Sequence, residues 1–221
     1  MPTRTLRLAH RGDWRAAPEN TILAFEAALA IPGCDGLEFD VRASSDGVPV
    51  ICHDATLKRV QGRPDYVDAV TARTLGDLGV PTLGEVLASV GRRPFLDVEL
   101  KVDVGLAAVE VLAAGRGPQL RNAVLSSFDP GALEAVARRA PAWGRWLNTR
   151  VMDASAIADA SALGCQGVAA EWHAVDEGSV ARAMAAGLEV ATWTVRRRST
   201  FDRLAALGVV AVCVEAAALD G

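Results

Sequence analysis

Glu38 and Asp40 stand two residues apart in the run Gly36-Leu37-Glu38-Phe39-Asp40-Val41. On an extended strand that spacing puts both carboxylates on one face and Leu37, Phe39 and Val41 on the other. The apolar set reads as the face that packs under helices, so the acidic pair faces the inside of a sheet or barrel. Two like charges buried together are costly without a compensating cation. A hard divalent cation with oxygen ligands removes that cost. The segment Phe95–Lys101 repeats the pattern, with Asp97, Glu99 and Lys101 alternating with Val98, Leu100 and Val102. Glu99 can supply a third carboxylate to the same ion. Lys101, one step further along, is placed to meet a phosphate oxygen. Three carboxylates with no cysteine or histidine ligand suit Mg²⁺, Ca²⁺ or Mn²⁺.

Two of the three histidines close predicted strands near this acidic set. His10 is followed by Arg11 and Gly12; His53 is followed by Asp54, a carboxylate able to orient its ring. Imidazole exchanges protons near neutral pH. Arg11 offers a planar fork suited to phosphate, and Gly12 permits a tight turn with close backbone approach.

These residues need a scaffold that brings strand ends together. Strands are predicted at Thr5–His10, Gly36–Val41, Val48–Cys52, Phe95–Lys101, Ala123–Ser127, Gly144–Asn148, Gln166–Glu171, Leu188–Thr194 and Val209–Val214. Pro18-Glu19-Asn20-Thr21 opens a helix with Ile22, Phe25, Ala28 and Leu29 at helical spacing. Thr82 and Glu85 are spaced as a capping box for another. Further helices are predicted over 104–115, 130–140, 153–163, 176–187 and 199–207. Residues 54–80 show no clear periodicity and read as a short excursion between the second and third barrel strands. The alternation gives about eight strand–helix units, the number of a TIM barrel. A doubly wound open sheet shares the alternation, and the pattern alone leaves both open. With no linker or repeat, residues 1–221 read as one domain.

Bulk properties exclude several function classes. Lys and Arg number 23 against 27 Asp and Glu, which gives no basic stripe for nucleic acid. The longest apolar run, Val209–Val214, is far below the ~20 residues that span a bilayer. The first residues lack the apolar stretch of a signal peptide, so a soluble cytoplasmic protein is expected. Cys34, Cys52, Cys165 and Cys213 form no C-x-x-C pair and read as buried free thiols.

The ordered set Ala9-His10-Arg11-Gly12, Pro18-Glu19-Asn20-Thr21, Glu38-Phe39-Asp40-Val41, Asp46-Gly47-Val48-Pro49-Val50, His53-Asp54 and Glu99-Leu100-Lys101 resembles the glycerophosphodiester phosphodiesterases. Pro81-Thr82-Leu83, Ser126-Ser127-Phe128-Asp129 and Trp193-Thr194-Val195 extend the likeness over nearly the whole chain. The resemblance implies an α/β TIM (β/α)8 barrel and hydrolysis of a small glycerophosphodiester to glycerol 3-phosphate and an alcohol. It implies Ca²⁺ or Mg²⁺ on Glu38, Asp40 and Glu99. It also implies His10 and His53 as the acid–base pair, with Arg11 and Lys101 around the phosphate. Trp193 is placed as an aromatic wall for glycerol, an assignment that core packing explains equally well. Trp14, Glu171, His173 and the basic run Arg196-Arg197-Arg198 are weaker candidates for the rim. The last strand departs from the family pattern: Val210 replaces the Asp that usually follows Gly-Val, and Glu215 stands near another usual Asp. The short segment between His53 and Glu99 implies an open pocket. Two alternatives fit the same residues: a lysophospholipase D-like or C-like enzyme, and a non-catalytic barrel binding a phosphorylated ligand.

Overall fold

Among the described residues nine short segments form strands, and eight of them close on themselves. The computed structural model describes residues 4–221. The barrel strands are β1 (Leu6–His10), β2 (Gly36–Ala43), β4 (Phe95–Leu100), β5 (Ala123–Ser127), β6 (Arg145–Thr149), β7 (Gly167–Glu171), β8 (Glu189–Val195) and β9 (Ala211–Val214). The ring runs β1-β9-β8-β7-β6-β5-β4-β2, all neighbours parallel, and His10 opposite Glu38 belongs to the β1–β2 pairing that closes it. Closure excludes the open doubly wound sheet and gives the TIM barrel expected from the motifs. The hairpin strand β3 (Pro49–Ile51) pairs antiparallel with β2 outside the ring.

Each strand divides its side chains between two cores. Leu37, Phe39, Val41, Leu96, Val98 and Leu100 point outward to an apolar shell shared with Phe25, Leu83 and Leu133 of the surrounding helices. Those helices include α1 (Ile22–Leu29), α4 (Leu83–Val90), α5 (Gly105–Arg116) and α6 (Pro130–Arg139). The ring continues with α7 (Ala154–Ala162), α8 (Glu177–Ala185) and α9 (Arg198–Ala206). Side chains one residue out of phase fill the lower lumen: Leu8, Val124, Trp146, Ala169, Ala191, Ala211 and Cys213. Burial of each larger apolar side chain contributes about 1.5–3 kcal/mol. Gly36 opens β2 because a Cβ there would lie 1.9 Å from the Phe95 carbonyl oxygen.

Helix starts follow the sequence signals. Thr82 and Glu85 form the expected capping box on α4. Asp129 caps α6 ahead of Pro130, and Asp153 caps α7. The excursion is more ordered than its lack of periodicity suggested. It holds α2 (Lys58–Gln61) and α3 (Ala72–Asp77), and Leu57, Val67, Leu75 and Val80 pack with Val50 and Cys52 into a separate small core. Elements of four and six residues are too short to show a helical period, which is why the pattern hid them. Among the described residues no helix is long and apolar enough to cross a membrane, and all four cysteines are unpaired.

Candidate active site

The C-terminal ends of β1, β2 and β4 bring the two acidic runs together. One oxygen from each of Glu38, Asp40 and Glu99 lies within 4.8 Å of the others. Asp40 is fully buried and Glu38 is 4% exposed. Burial, reinforced by Asp40 and Glu99, pushes the Glu38 carboxyl well above its ordinary range. Burial and then Asp40 push Glu99 up as well. Burial acts on Asp40 too, but Arg11 and Lys101 outweigh it and hold that carboxyl low. Beneath them Asp97 accepts a 2.6 Å hydrogen bond from Ser126 Oγ, yet burial still pushes it up to about 7.

Glu38 Oε2 is buried without a hydrogen-bond donor among the described residues. Such an orphaned acceptor is costly unless something neutralises it. Three hard oxygen donors at this separation fit a divalent cation, which these residues could hold.

The turn after β1 is built for close approach. Arg11 sits at φ +56° and Gly12 at φ +84°. A Cβ on Gly12 would come within 2.6 Å of the Ala24 carbonyl carbon, so only glycine fits. Arg11 Nε lies 3.0 Å from Asp40 Oδ2, and its Nη1 donates to Glu19 Oε1 at 3.0 Å. Lys101 Nζ lies 2.5 Å from Glu99 Oε1 and 3.3 Å from Asp40 Oδ1. Both cations are therefore engaged with the carboxylates while also lining the cavity.

The two histidines have matching supports. His53 Nδ1 is 2.7 Å from Asp54 Oδ1, and Asp54 Oδ2 accepts from Arg59 Nε at 2.6 Å. His10 Nδ1 is 2.5 Å from Glu215 Oε1, and Glu215 Oε2 accepts from Arg196 Nε at 2.8 Å. Each ring is thus held through Nδ1 by a carboxylate that is itself held by an arginine. Burial opposes ionisation of Glu215, but His10 and Arg196 prevail and hold it at about 2. His10 Nε2 remains 3.8 Å from Glu38 Oε2.

A cavity of about 380 Å³ opens at this barrel end. His10, Arg11, Glu38, His53, Glu99 and Lys101 line one side, and Ser126, Phe128, Asn148, Arg150 and Trp193 the other. Asp40 lies just beneath the surface. Trp193 meets Phe128 edge-on at 5.4 Å between ring centres, and its indole donates to the Ala169 carbonyl at 2.9 Å. Cys213 also borders the cavity, but burial, then the carboxylates, push its thiol well up, so it packs rather than attacks.

Other sequence candidates separate here. Glu171 and His173 bond each other at 2.6 Å and do not line the cavity. Trp14 is half exposed and does not line it either. Of the basic run, Arg196 reaches the site, while Arg198 begins α9 and bears electrostatically on Arg7. Other contributors, to which sequence reasoning gave no role, complete the cluster. Glu19 bridges Arg11 and Arg59, Asn20 Nδ2 donates to Asp40 Oδ2 at 2.8 Å, and Asp97 underlies the cluster. Asn20 adopts φ +59°, so Pro18–Thr21 forms a site loop as well as a helix start.

The fold and this acidic, two-histidine cleft define a TIM barrel with its functional groups gathered at the C-terminal strand ends, where barrels of this kind carry out chemistry. Residues 10–219 match the Glycerophosphoryl diester phosphodiesterase family, and the chain belongs to it. A glycerophosphodiester phosphodiesterase of Caldanaerobacter subterraneus subsp. tengcongensis is 32% identical over 156 residues, 62% of this chain and 64% of that relative. The match therefore spans less than two thirds of that relative's length. A probable glycerophosphodiester phosphodiesterase 1 of Mycobacterium tuberculosis is 28% identical over 91% of this chain and 86% of its own length. An Oleispira antarctica phosphodiesterase, solved with the product sn-glycerol-3-phosphate, superposes with a TM-score of 0.84 at 28% identity. That similarity covers 96% of this chain and 93% of the other.

Proposed function

We propose that this protein hydrolyses glycerophosphodiesters to glycerol 3-phosphate and an alcohol. A divalent cation, Ca²⁺ or Mg²⁺, with Mn²⁺ able to substitute, would be held by Glu38, Asp40 and Glu99. The observation that carries this reading is the pair of carboxylate-backed histidines beside three clustered carboxylates. A barrel that merely binds phosphate needs no such pair. Family membership and the glycerol 3-phosphate found with the Oleispira relative support the substrate class.

The cation, when bound, neutralises phosphoryl charge. Arg11 and Lys101 add positive charge around the same oxygens. One histidine takes a proton from the attacking hydroxyl or water while the other gives one to the leaving alkoxide. Asp54 and Glu215 hold each ring through Nδ1, leaving Nε2 for the substrate. Trp193 offers an apolar wall to the glycerol carbons. A cytoplasmic setting accords with four unpaired thiols.

The direct test is turnover of glycerophosphocholine with Mg²⁺, Ca²⁺ or Mn²⁺, before and after EDTA. Metal-restored release of glycerol 3-phosphate is expected; no turnover with any of the three ions sinks the reading. One observation favours a second reading. A groove of about 580 Å³ shares Phe128 and Asn148 with the cleft and is walled in part by Leu147 and Val151. An acyl chain lying there would make lysolipids the better substrates, so lysophosphatidylcholine belongs in the same assay.

A further inference from the structure

The cleft has two walls of opposite character. On the β1, β2 and β4 side every cation has a carboxylate: Arg11 has Asp40 and Glu19, and Lys101 has Glu99 and Asp40. β6 stands four steps from β1 around the ring, which puts its end across the mouth from His10. Arg150 immediately follows β6 and lines the cavity. It is exposed, and it has no carboxylate partner among the described residues. Its guanidinium carbon lies 6.0 Å from the centre of the Phe128 ring. Below it Asn148 is only 7% exposed, and its Oδ1 has no hydrogen-bond donor among the described residues. A buried amide oxygen left without a donor on a cavity wall can take a hydrogen bond from a polar ligand.

We propose that Asn148 and Arg150 form a head-group subsite that favours a diester whose alcohol carries a second negative charge, such as a carboxylate. This rests on the glycerophosphodiesterase reading above. The glycerol arm is the same in all such substrates and bears no charge. The phosphate belongs with the histidines and the acidic cluster. Only the alcohol arm can bring an anion to an unpaired guanidinium across the mouth. The Phe128 ring would otherwise suit a quaternary ammonium through its face. Arg150 already lies over Phe128, so a choline nitrogen arriving there meets a like charge. A carboxylate meets a planar fork able to bond it through two N–H groups, while the Asn148 amide can bond an adjacent amine or hydroxyl.

Glycerophosphoserine and glycerophosphoethanolamine differ by one carboxylate, and their kcat/KM ratio isolates the effect. The parent protein is expected to prefer the serine diester by about five- to tenfold at low salt, within the range of an exposed to partly desolvated charge pair. Arg150→Ala should bring the ratio near one, Arg150→Glu should invert it, and Arg150→Lys should keep part of it. Added salt should erode the preference. A ratio that Arg150→Ala leaves unchanged overturns the proposal. Calorimetric binding of phosphoserine against phosphoethanolamine separates the two readings. An Arg150-dependent preference there supports the subsite even if no diester is turned over, a result that would count against the hydrolase reading alone. Equal binding of the two, insensitive to Arg150→Ala, overturns the subsite independently of turnover.

Discussion

The lower and upper halves of the barrel lumen are made by the same strands and do opposite things. β1 supplies Leu8 below and His10 above; β6 supplies Trp146 and then Asn148. β8 supplies Ala191 and then Trp193, and β9 supplies Cys213 with Glu215 just beyond it. A step of two residues along a strand keeps the inward face and raises the side chain by one layer. The lower layer is apolar, buried and free of conflict. The upper layer holds carboxylates that repel one another and orphaned acceptors. Packing energy is thus concentrated at one end, and the other end holds groups whose arrangement is unfavourable until a ligand meets them.

The sharpest way to test that division is to remove a proton-transfer group from the upper layer. His53→Ala is expected to lower kcat on glycerophosphocholine by about 10²- to 10⁴-fold while the thermal melt stays near that of the parent. His53 is partly exposed and packs little, so its loss should spare the fold. Near-parental kcat would remove His53 from the mechanism. The complementary change is Leu8→Ala in the lower layer. It should cost about 2–5 kcal/mol of stability by denaturant unfolding, with kcat per folded molecule close to parental. Loss of kcat in folded protein would show that the two layers are not separable.

Glu215 stands in the upper layer but is tied into an ion-pair chain, so it should show both kinds of effect. Glu215→Gln keeps the shape but replaces the anion that holds His10 Nδ1. A loss of about 10- to 100-fold in kcat is expected, typical of a partner that orients a functional side chain. Its stability effect depends on pH. The carboxyl ionises at about 2 in the folded protein, below the ordinary 4.5. The stabilisation is therefore present above about 4.5 and is lost as pH falls toward 2. The melting difference between parent and Glu215→Gln should be full at pH 7 and vanish near pH 2. A constant difference across that window would show that the His10–Glu215–Arg196 chain contributes no charge stabilisation.

How much of this was legible in the chain depends on whether period or packing carried the information. Glu38, Asp40 and Glu99 were readable because alternation on a buried strand fixes the face a side chain takes, and all three arrive together as expected. His10, His53, Arg11, Lys101 and Trp193 were readable as strand-end residues, and each lines the cleft or its wall. Glu19 and Asn20 were not, because a left-handed loop residue leaves no periodic trace and their partners lie in other elements. The departure at the last strand was visible, but its meaning was not. Only the closed ring sets Glu215 beside His10, 205 residues earlier in the chain. Nor could spacing show that α2 and α3 carry a small core of their own, or that Arg59 reaches back from the excursion to Asp54.

The smallest expected effect bears most directly on why the upper layer is built as it is. Glu38 is buried beside Asp40 and Glu99, with one oxygen that has no donor among the described residues. In metal-free protein its charge is a liability. Glu38→Gln should therefore raise the unfolding free energy in EDTA by about 0.5–2 kcal/mol, the usual gain when a functional residue is relieved of its strain. Mg²⁺ or Ca²⁺ at a hundred times its dissociation constant should stabilise the parent by about 2.7 kcal/mol. The variant, with one ligand charge gone, should gain distinctly less. The sign of the first change and the size of the second must go together. If Glu38→Gln melts lower than the parent in EDTA, the acidic cluster is satisfied without a cation. If both proteins gain equally from the ion, the cation binds elsewhere.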